Sequence, residues 1–184
     1  MLKLDLAPTE ALYPVPVVLV SCAGKKDERA NIITIAWCGV VCSTPPLLGV
    51  SIRPSRYSHK LIKRCGDFVV NIPSEKILNS VDFCGMASGK DEDKFTACSL
   101  TAVKSSKIIS PLIKECPVNI ECKLKDVIRF GSHDLFVGEV LLVHADADLA
   151  SGGRIDYQKA KPLVYNQGEY WNLGKKIGHY GMSR

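Results

Sequence analysis

The chain has 184 residues, of which 46% are hydrophobic and 23% charged, the composition of an ordinary soluble globular protein with enough residues for one sizeable core. Its longest apolar run is too short to cross a bilayer and its N-terminus has no signal-peptide pattern, so the sequence argues against membrane insertion and secretion and favours the cytoplasm. The net charge of +5 comes from lysines and arginines interleaved with acids, which argues against a nucleic-acid-binding face.

The eight cysteines lie singly in apolar or mixed runs, and the closest two, Cys38 and Cys42, have CxxxC spacing. Zinc and iron–sulfur sites need tighter, repeated spacing, and the four histidines are also far apart, so we expect no metal site. We interpret most of the cysteines as small, reduced core residues, in agreement with a reducing cytoplasm. The sequence leaves open whether any of them is redox active.

The first half of the chain is rich in short β-branched runs bounded by polar or proline-containing segments, which is typical of strands. A charged turn, Gly24–Ala30, separates the first two predicted strands, and a loop with the sequence CGVVCSTPP, residues 38–46, separates the second from the third. The predicted strands are Tyr13–Cys22, Asn31–Trp37, Leu47–Arg53 and Phe68–Ile72.

Two helices are predicted around the fourth of these strands. Apolar residues at helical spacing among basic ones predict a short amphipathic helix over Arg56–Arg64, which ends at Gly66. Ser74 is a good N-cap for a second helix over Glu75–Cys84. A loop rich in glycine, serine and charged residues follows, from Gly85 to Lys94.

The second half begins with a predicted hairpin. Val118–Val127 alternates between apolar and polar residues, as a half-buried strand does, Phe130–Asp134 turns the chain, and Leu135–Ala145 returns as the partner strand. The tail from Asp146 is expected to be mostly irregular. Many strands, few helices and no steady βαβ alternation predict a single domain over residues 1–184, mainly β with inserted helices, built as a closed or partly closed antiparallel barrel.

The second predicted strand has a face that suits a flat ligand. Strand alternation places the small side chains of Thr34 and Ala36 on one face. The bulkier Ile33, Ile35 and Trp37 lie on the other. Small residues let a flat ring approach the backbone, although a barrel strand with small inward side chains explains the same pattern.

Polar residues around the end of the third predicted strand indicate an anion site. Ser51 and Arg53 share one face of the strand, and Arg56, Ser58 and His59 open the following helix. Hydroxyl, guanidinium and helix N-terminal N–H groups would converge on one corner. Because the helix dipole disfavours a cation at a helix start, Arg56 there favours an anionic partner over a purely surface role.

No other nucleotide-binding or catalytic pattern is supported. Residues 85–95, GMASGKDEDKF, have GxxxGK spacing, one residue short of a P-loop, and follow a helix rather than a strand. GxGxxG is absent, which argues against a Rossmann dinucleotide site. No Ser-His-Asp or paired-carboxylate arrangement stands out, so we expect no catalytic side chain.

A series of short motifs occurs in a fixed order over about residues 13–181. The motifs are Asn31-x-x-Thr34-x-Ala36-Trp37, Ser43-Thr-Pro-Pro46, Ser51-Ile-Arg53, Arg56-Tyr-Ser58, Phe68-Val-Val-Asn-Ile-Pro73, Asp93-Lys-Phe95, His133-Asp-Leu-Phe-Val-Gly-Glu-Val140 and Leu163-x-Tyr165-x-x-Gly168-x-Tyr-Trp171-x-Leu-Gly174. Each is weak singly, but together they make the chain resemble the flavin reductase-like, FMN-binding split-barrel family, and within it the flavoredoxin group.

This resemblance implies a Greek-key split β-barrel, a homodimer, and FMN in a groove near the dimer interface. The residues implied along the flavin ring are Asn31, Thr34, Ala36 and Trp37. Those implied at the ribityl chain and phosphate are Ser51, Ile52, Arg53, Arg56, Ser58 and His59, with Ser58 at a position where relatives often have Thr. Those implied at the border of the groove are Asn71, Cys84, Gly85, Ser88 and Lys94. The tail aromatics Tyr165, Tyr170 and Trp171 are expected to pack structurally more than to cover the ring.

The function implied by the resemblance is electron transfer from NADH or NADPH through bound FMN to an acceptor, such as free flavin, ferric iron or a redox protein. The alternative is a non-enzymatic FMN electron carrier between partner proteins. An OB-like barrel that binds nucleic acid is disfavoured, because the strands lack aromatics interleaved with basic residues. The choice between NADH and NADPH, between FMN and FAD, and among acceptors stays open.

Overall fold

The computed structural model describes residues 2–24 and 28–183, so residues 25–27 of the predicted turn Gly24–Ala30 lie outside the described residues. Most of the regular secondary structure is β-strand. The strands are β1 (Val15–Pro16), β2 (Val18–Cys22), β3 (Asn31–Ile35), β4 (Cys38–Ser43), β5 (Pro46–Ile52), β6 (Asp67–Ile72), β7 (Ala102–Val103), β8 (Leu112–Ile113), β9 (Val118–Phe130), β10 (His133–Ala145), β11 (Ala150–Ser151), β12 (Arg154–Ile155), β13 (Leu163–Asn166) and β14 (Glu169–Asn172).

Seven of these strands form one antiparallel sheet in the order β3-β2-β6-β9-β10-β5-β4. The two edge strands, β3 and β4, are separated in the chain only by Ala36 and Trp37, so the sheet must curl until its edges meet. At this seam the Ser51 amide of β5 donates a hydrogen bond to the Trp37 carbonyl at 2.9 Å. The predicted mainly β fold, an antiparallel barrel only partly closed, is confirmed.

Hydrophobic side chains occupy both faces of the sheet, which explains why its strands contain nearly continuous apolar runs. One cluster, inside the barrel, includes Val20, Ile33 and Phe68. The other, on the outer face, includes Leu19 and Ile32. Neighbouring residues of β2 and of β3 therefore enter different clusters, as the two-residue period of a strand requires.

Helices cover the outer face and one end of the barrel. The first predicted helix is confirmed, and its following residue Gly66 has the left-handed φ of 77° that ends a helix. The second begins later than predicted, because a 3₁₀ turn precedes it and the Ser74 side chain makes no capping hydrogen bond. The helices are α1 (Tyr57–Cys65), α2 (Leu78–Met86), α3 (Lys94–Ala97) and α4 (Tyr157–Ala160), and the 3₁₀ turn is Glu75–Ile77.

Two parts of the prediction missed strands that depend on distant partners. The expected loop at residues 38–46 contains the edge strand β4, which pairs with β5 although Val40 and Val41 are 80% and 54% exposed. The tail, expected to be mostly irregular, does lie mostly outside helices and strands, but it also contains β13 and β14, which form a three-stranded sheet with β1. Tyr165 and Tyr170 of this sheet pack against the outer cluster, so tertiary contact fixes strands that the local sequence does not reveal.

Gly138 on β10 is required by close packing inside the barrel. A Cβ at this position would lie 2.5 Å from the ring of Phe68 and 2.9 Å from Cys122. We expect Gly138→Ala to lower the free energy of unfolding by about 1–2 kcal/mol, because a fully buried ring must move. Urea unfolding measures this, with Gly39→Ala on β4 as the matched control, since no atom of the described residues lies within 4 Å of a Cβ there. Equal effects of the two changes would contradict the prediction.

Candidate functional site

Two adjoining cavities of about 250 and 390 Å³ lie where β3 and β5 meet α1 and α2. Both are lined by Ile33, Arg53, Arg56 and Gly85, so they form one continuous groove. We call the first the seam cavity; its remaining lining is Glu10, Tyr13, Thr34, Ile35, Ala36, Trp37, Ser51, Ile52, His133 and Tyr165. We call the second the cationic cavity; its remaining lining is Asn31, Ser55, Tyr57, Ser58, Cys84, Ala87, Ser88, Gly89 and Lys94.

The lining of the seam cavity is partly aromatic. Its wall follows the strand end Thr34–Trp37, and the Thr34 hydroxyl donates a hydrogen bond to the Val81 carbonyl of α2, which fixes this wall against the helix. The Trp37 and His133 rings lie with their centroids 4.5 Å apart. Burial and the nearby charge of Arg53 both lower the pKa of His133, which favours the neutral imidazole. The ring pair and the small side chains of Thr34 and Ala36 suit a flat group.

The cationic cavity concentrates positive charge. Arg53, Arg56 and Lys94 line it, and within residues 2–24 and 28–183 none of the three forms an ion pair with a carboxylate. Arg56 is also the N-cap of α1, whose first turn carries no acidic residue, so the positive end of the helix dipole faces the same cavity. The geometry and charge suit a phosphate-like anion.

Lys94 is the buried member of this set, with 3% of its surface exposed. Its Nζ donates hydrogen bonds to the carbonyls of Ile32, at 2.8 Å, and Cys84, at 2.7 Å. Burial lowers the pKa of Lys94, with the charge of Arg56 acting in the same direction. Two carbonyls stabilise the ammonium, and an anion in the cavity would stabilise it further.

The loop between α2 and α3 approaches β3 closely. Asn31 donates from Nδ2 to the Ser58 hydroxyl at 2.8 Å, which links β3 to the first turn of α1. A Cβ at Gly89 would lie only 2.1 Å from Oδ1 of Asn31, so a side chain there would displace this link. Glycine at position 89 therefore lets the loop form the outer wall of the cationic cavity.

Most of the predicted site residues are brought together by this groove. His59 and Asn71 are not. The buried His59 side chain of α1 lies with its Nε2 atom 2.8 Å from the carboxylate of Asp134. The Asn71 side chain is fully buried, donates to the Leu19 carbonyl and accepts from the Ile113 amide. The predicted residues that line the groove are Asn31, Thr34, Ala36, Trp37, Ser51, Ile52, Arg53, Arg56, Ser58, Cys84, Gly85, Ser88 and Lys94.

Several lining residues were not predicted as site residues, among them His133 and Tyr13. Gly89 lies in the loop from Cys84 to Lys94 that was expected to border the groove, but it was not singled out. His133 begins β10, whose next residue, Asp134, pairs with Ile52, so His133 lies beside the same strand end as Arg53. The predicted hairpin does not give this register, because it pairs β10 with β9 and not with β5. The close contact of Gly89 and the position of Tyr13 have no local signal, because both depend on how distant segments pack.

The chain is a partly closed antiparallel barrel with a cationic groove at its seam, and this is the architecture of flavin reductase-like split barrels. A family model described as a flavin reductase like domain matches residues 11–174, so the chain belongs to this family. Structural similarity agrees. The chain is 32% identical to the flavoredoxin of Desulfovibrio vulgaris (Miyazaki F), with a TM-score of 0.93 and 100% of both chains covered.

Two further solved structures extend the comparison. Flavoredoxin from Methanosarcina acetivorans is 29% identical, with a TM-score of 0.92 over 100% of this chain and 97% of that one. An FMN-binding protein from Thermus thermophilus, solved with bound 1-cyclohex-2-enone, is 25% identical, with a TM-score of 0.79 over 97% of this chain and 98% of that one. The split-barrel fold and the flavoredoxin-like resemblance are therefore confirmed.

Neither a metal centre nor a membrane segment is seen in the part of the chain that the structure describes. No group of three or more His, Cys, Asp or Glu side chains there is placed to hold a metal ion. None of the helices described is both long and apolar enough to cross a membrane.

Proposed function

We propose that this protein binds FMN in the groove and transfers electrons from NADH or NADPH to an acceptor such as free flavin, ferric iron or a redox protein. The observation that carries the proposal is the cationic cavity: three cations without a carboxylate partner among the described residues, directly beside a cavity that suits a ring. Family membership and the similarity to an FMN-binding protein support FMN as the occupant.

The residues that line the groove form two groups with different roles. Arg53, Arg56 and Lys94, with the N-terminus of α1, would bind the phosphate by charge-assisted hydrogen bonds. The wall Thr34–Trp37 would hold the ring, with Ser51 in the same cavity. Bound FMN supplies the hydride and electron chemistry, while the protein supplies orientation and positive potential. This division needs no acid, base or nucleophile from the protein.

Three further properties belong to this proposal: one domain over residues 1–184, a homodimer, and a cytoplasmic location. The homodimer is supported by exposed apolar side chains along the free edge strand and the tip of the long hairpin, where Val40, Val41 and Phe130 are 80%, 54% and 63% exposed. Apolar surface of this kind is typical of a protein–protein interface. The cytoplasm is supported by eight free thiols.

A non-enzymatic FMN carrier is the second candidate, and the similarity to two flavoredoxins favours it specifically. The two candidates differ in what reduces the flavin. A reductase accepts hydride directly from a nicotinamide, whereas a carrier is reduced only by a partner protein.

We expect the purified protein to be yellow, to release FMN on denaturation, and to oxidise NADH or NADPH when free flavin or a ferric chelate is present. Single-turnover stopped-flow with each nicotinamide, followed by an acceptor screen, measures this. Protein that stays colourless and does not bind added FMN at micromolar concentration contradicts the whole proposal. Protein that holds FMN but is reduced by neither nicotinamide supports the carrier instead.

A further inference from the structure

Two thiols face each other beside the cationic cavity. Cys84 belongs to α2 and Cys98 follows the last residue of α3, and their Sγ atoms lie 3.8 Å apart. All eight cysteines are free and lie within the described residues, and among those residues this is the one pair of sulfur atoms in contact. We propose that Cys84 and Cys98 form a reversible disulfide that ties down the loop lining the cationic cavity.

The backbones around the two thiols are already held side by side. The Ser80 hydroxyl donates to the Cys98 carbonyl at 3.5 Å, and the Cys98 thiol donates to the Ser80 carbonyl at 3.9 Å. A disulfide needs its sulfur atoms about 2.05 Å apart, so the two atoms must approach by about 1.8 Å. Rotation of two side chains that are in contact, one of them in a short terminal turn, can supply an approach of this size.

Because of the position of the two cysteines, the disulfide would restrain the loop that lines the cationic cavity. A link between residues 84 and 98 closes a ring that contains Gly85, Ser88, Gly89 and Lys94, the loop side of the cationic cavity. In the dithiol form, this loop is attached to α2 by the Lys94 ammonium, which donates to the Cys84 carbonyl. The disulfide would add a covalent attachment beside this hydrogen bond and reduce the freedom of the loop to open. This inference concerns the loop and does not require that FMN be the ligand.

Exposure decides the order of the chemical steps. Cys84 is fully buried, and burial raises the pKa of its thiol to about 12, whereas Cys98 is partly exposed. The Cys98 thiolate therefore attacks a small disulfide oxidant, such as glutathione disulfide, and releases one glutathione thiolate. Cys84 then attacks the Cys98 sulfur and releases the second. Each cysteine loses its proton to a departing glutathione thiolate, so two protein thiols are oxidised and one glutathione disulfide is reduced.

Peptide mapping tests the bond directly. The full-length protein is incubated with excess glutathione disulfide, its remaining thiols are blocked, and it is digested with trypsin without reductant. We expect the peptide of residues 77–90 to be joined to that of residues 95–104, and to separate when dithiothreitol is added. Cys98→Ser should abolish the joined species. Cys42→Ser is the matched control and should leave it unchanged, because Cys42 is also partly exposed but its thiol donates to the Thr44 carbonyl and touches no other sulfur among the described residues.

Hydrogen exchange tests the consequence. In the oxidised protein, we expect the amides of residues 85–94 to exchange more slowly, by a factor of up to about five. Cys98→Ser should remove this difference. Finding only glutathione adducts, or Cys84 linked to another cysteine, would overturn the proposed bond. A correct bond without slower exchange would overturn its effect on the loop. Neither result depends on flavin binding, so failure here is distinguishable from failure of the proposed function.

Discussion

Arg56→Ala should weaken FMN binding by about 1.5–3 kcal/mol, which is a rise in Kd of roughly 10- to 150-fold. The guanidinium lines both cavities and has no ion-pair partner among the described residues, so its removal leaves a phosphate short of a charge-assisted hydrogen bond. Quenching of FMN fluorescence on titration with flavin-free protein measures the Kd. If the contact is exposed to solvent, the loss of FMN affinity caused by this substitution should be smaller at high salt, because salt screens exposed charges.

Arg154→Ala is the control for this change. It removes the same charge from an exposed position on β12, which does not line the groove. Its effect on Kd should be within twofold of no change, because a distant surface charge is screened. An unchanged Kd in Arg56→Ala would show that this residue does not bind FMN. Equal losses of FMN affinity in the two variants would show that Arg56 acts only through the net charge of the protein.

Glu121→Ala should lower the free energy of unfolding by about 3–5 kcal/mol, the largest effect expected on stability. The carboxylate is fully buried and accepts hydrogen bonds from the amides of Ser106 and Lys107, at 2.8 and 2.7 Å, while His144 lies 2.7 Å away. Alanine leaves both amides without their acceptor. Urea unfolding at pH 7 measures the loss.

Glu139→Ala is the matched control, because Glu139 lies on the neighbouring strand and pairs with Lys125 at the surface. Exposed pairs contribute about 0–1 kcal/mol, so the control should be nearly neutral. Comparable losses in the two variants would contradict the special role of the buried carboxylate.

The same carboxylate should also make stability depend on pH. Burial alone would raise the pKa of Glu121, but the two amides and His144 outweigh it and hold this pKa below the ordinary value of 4.5. The unfolded state therefore binds the proton first, and the stabilisation is complete above about pH 4.5 and is lost as the pH falls through the lower folded pKa. Glu121→Gln should flatten the acid side of the stability curve. An unchanged slope would show that other carboxylates control it.

Much of the site could be predicted because its signals are local. Gly66 ends α1, and the Ser51 and Arg53 pair follows from a strand period, so both need only neighbouring residues. His59 could not be placed in this way, because the carboxylate that binds its side chain belongs to Asp134, 75 residues further along the chain. Local sequence gives the element but not the partner that a side chain meets.

The outer face of β9 shows the same limit. Alternation predicted that Asn119 and Glu121 face solvent, yet both are buried. Residues 105–113, a segment with little regular structure, cover this face and bind these side chains together with Asp67. The polar residues of this alternating strand therefore bind an irregular segment of the chain. The strand sequence alone does not distinguish a polar face covered by such a segment from one exposed to water.

The strand order has a consequence for synthesis of the chain. Residues up to 72 supply two separate sets of strands, β3-β2-β6 and β4-β5, which become one sheet only when the hairpin Val118–Ala145 pairs with β6 on one side and β5 on the other. A nascent chain must therefore wait for this late hairpin, for seconds at ordinary translation rates, with two apolar faces still uncovered. During that interval the growing polypeptide is most exposed to misassembly and has the greatest need of the ribosome or a chaperone as a shield.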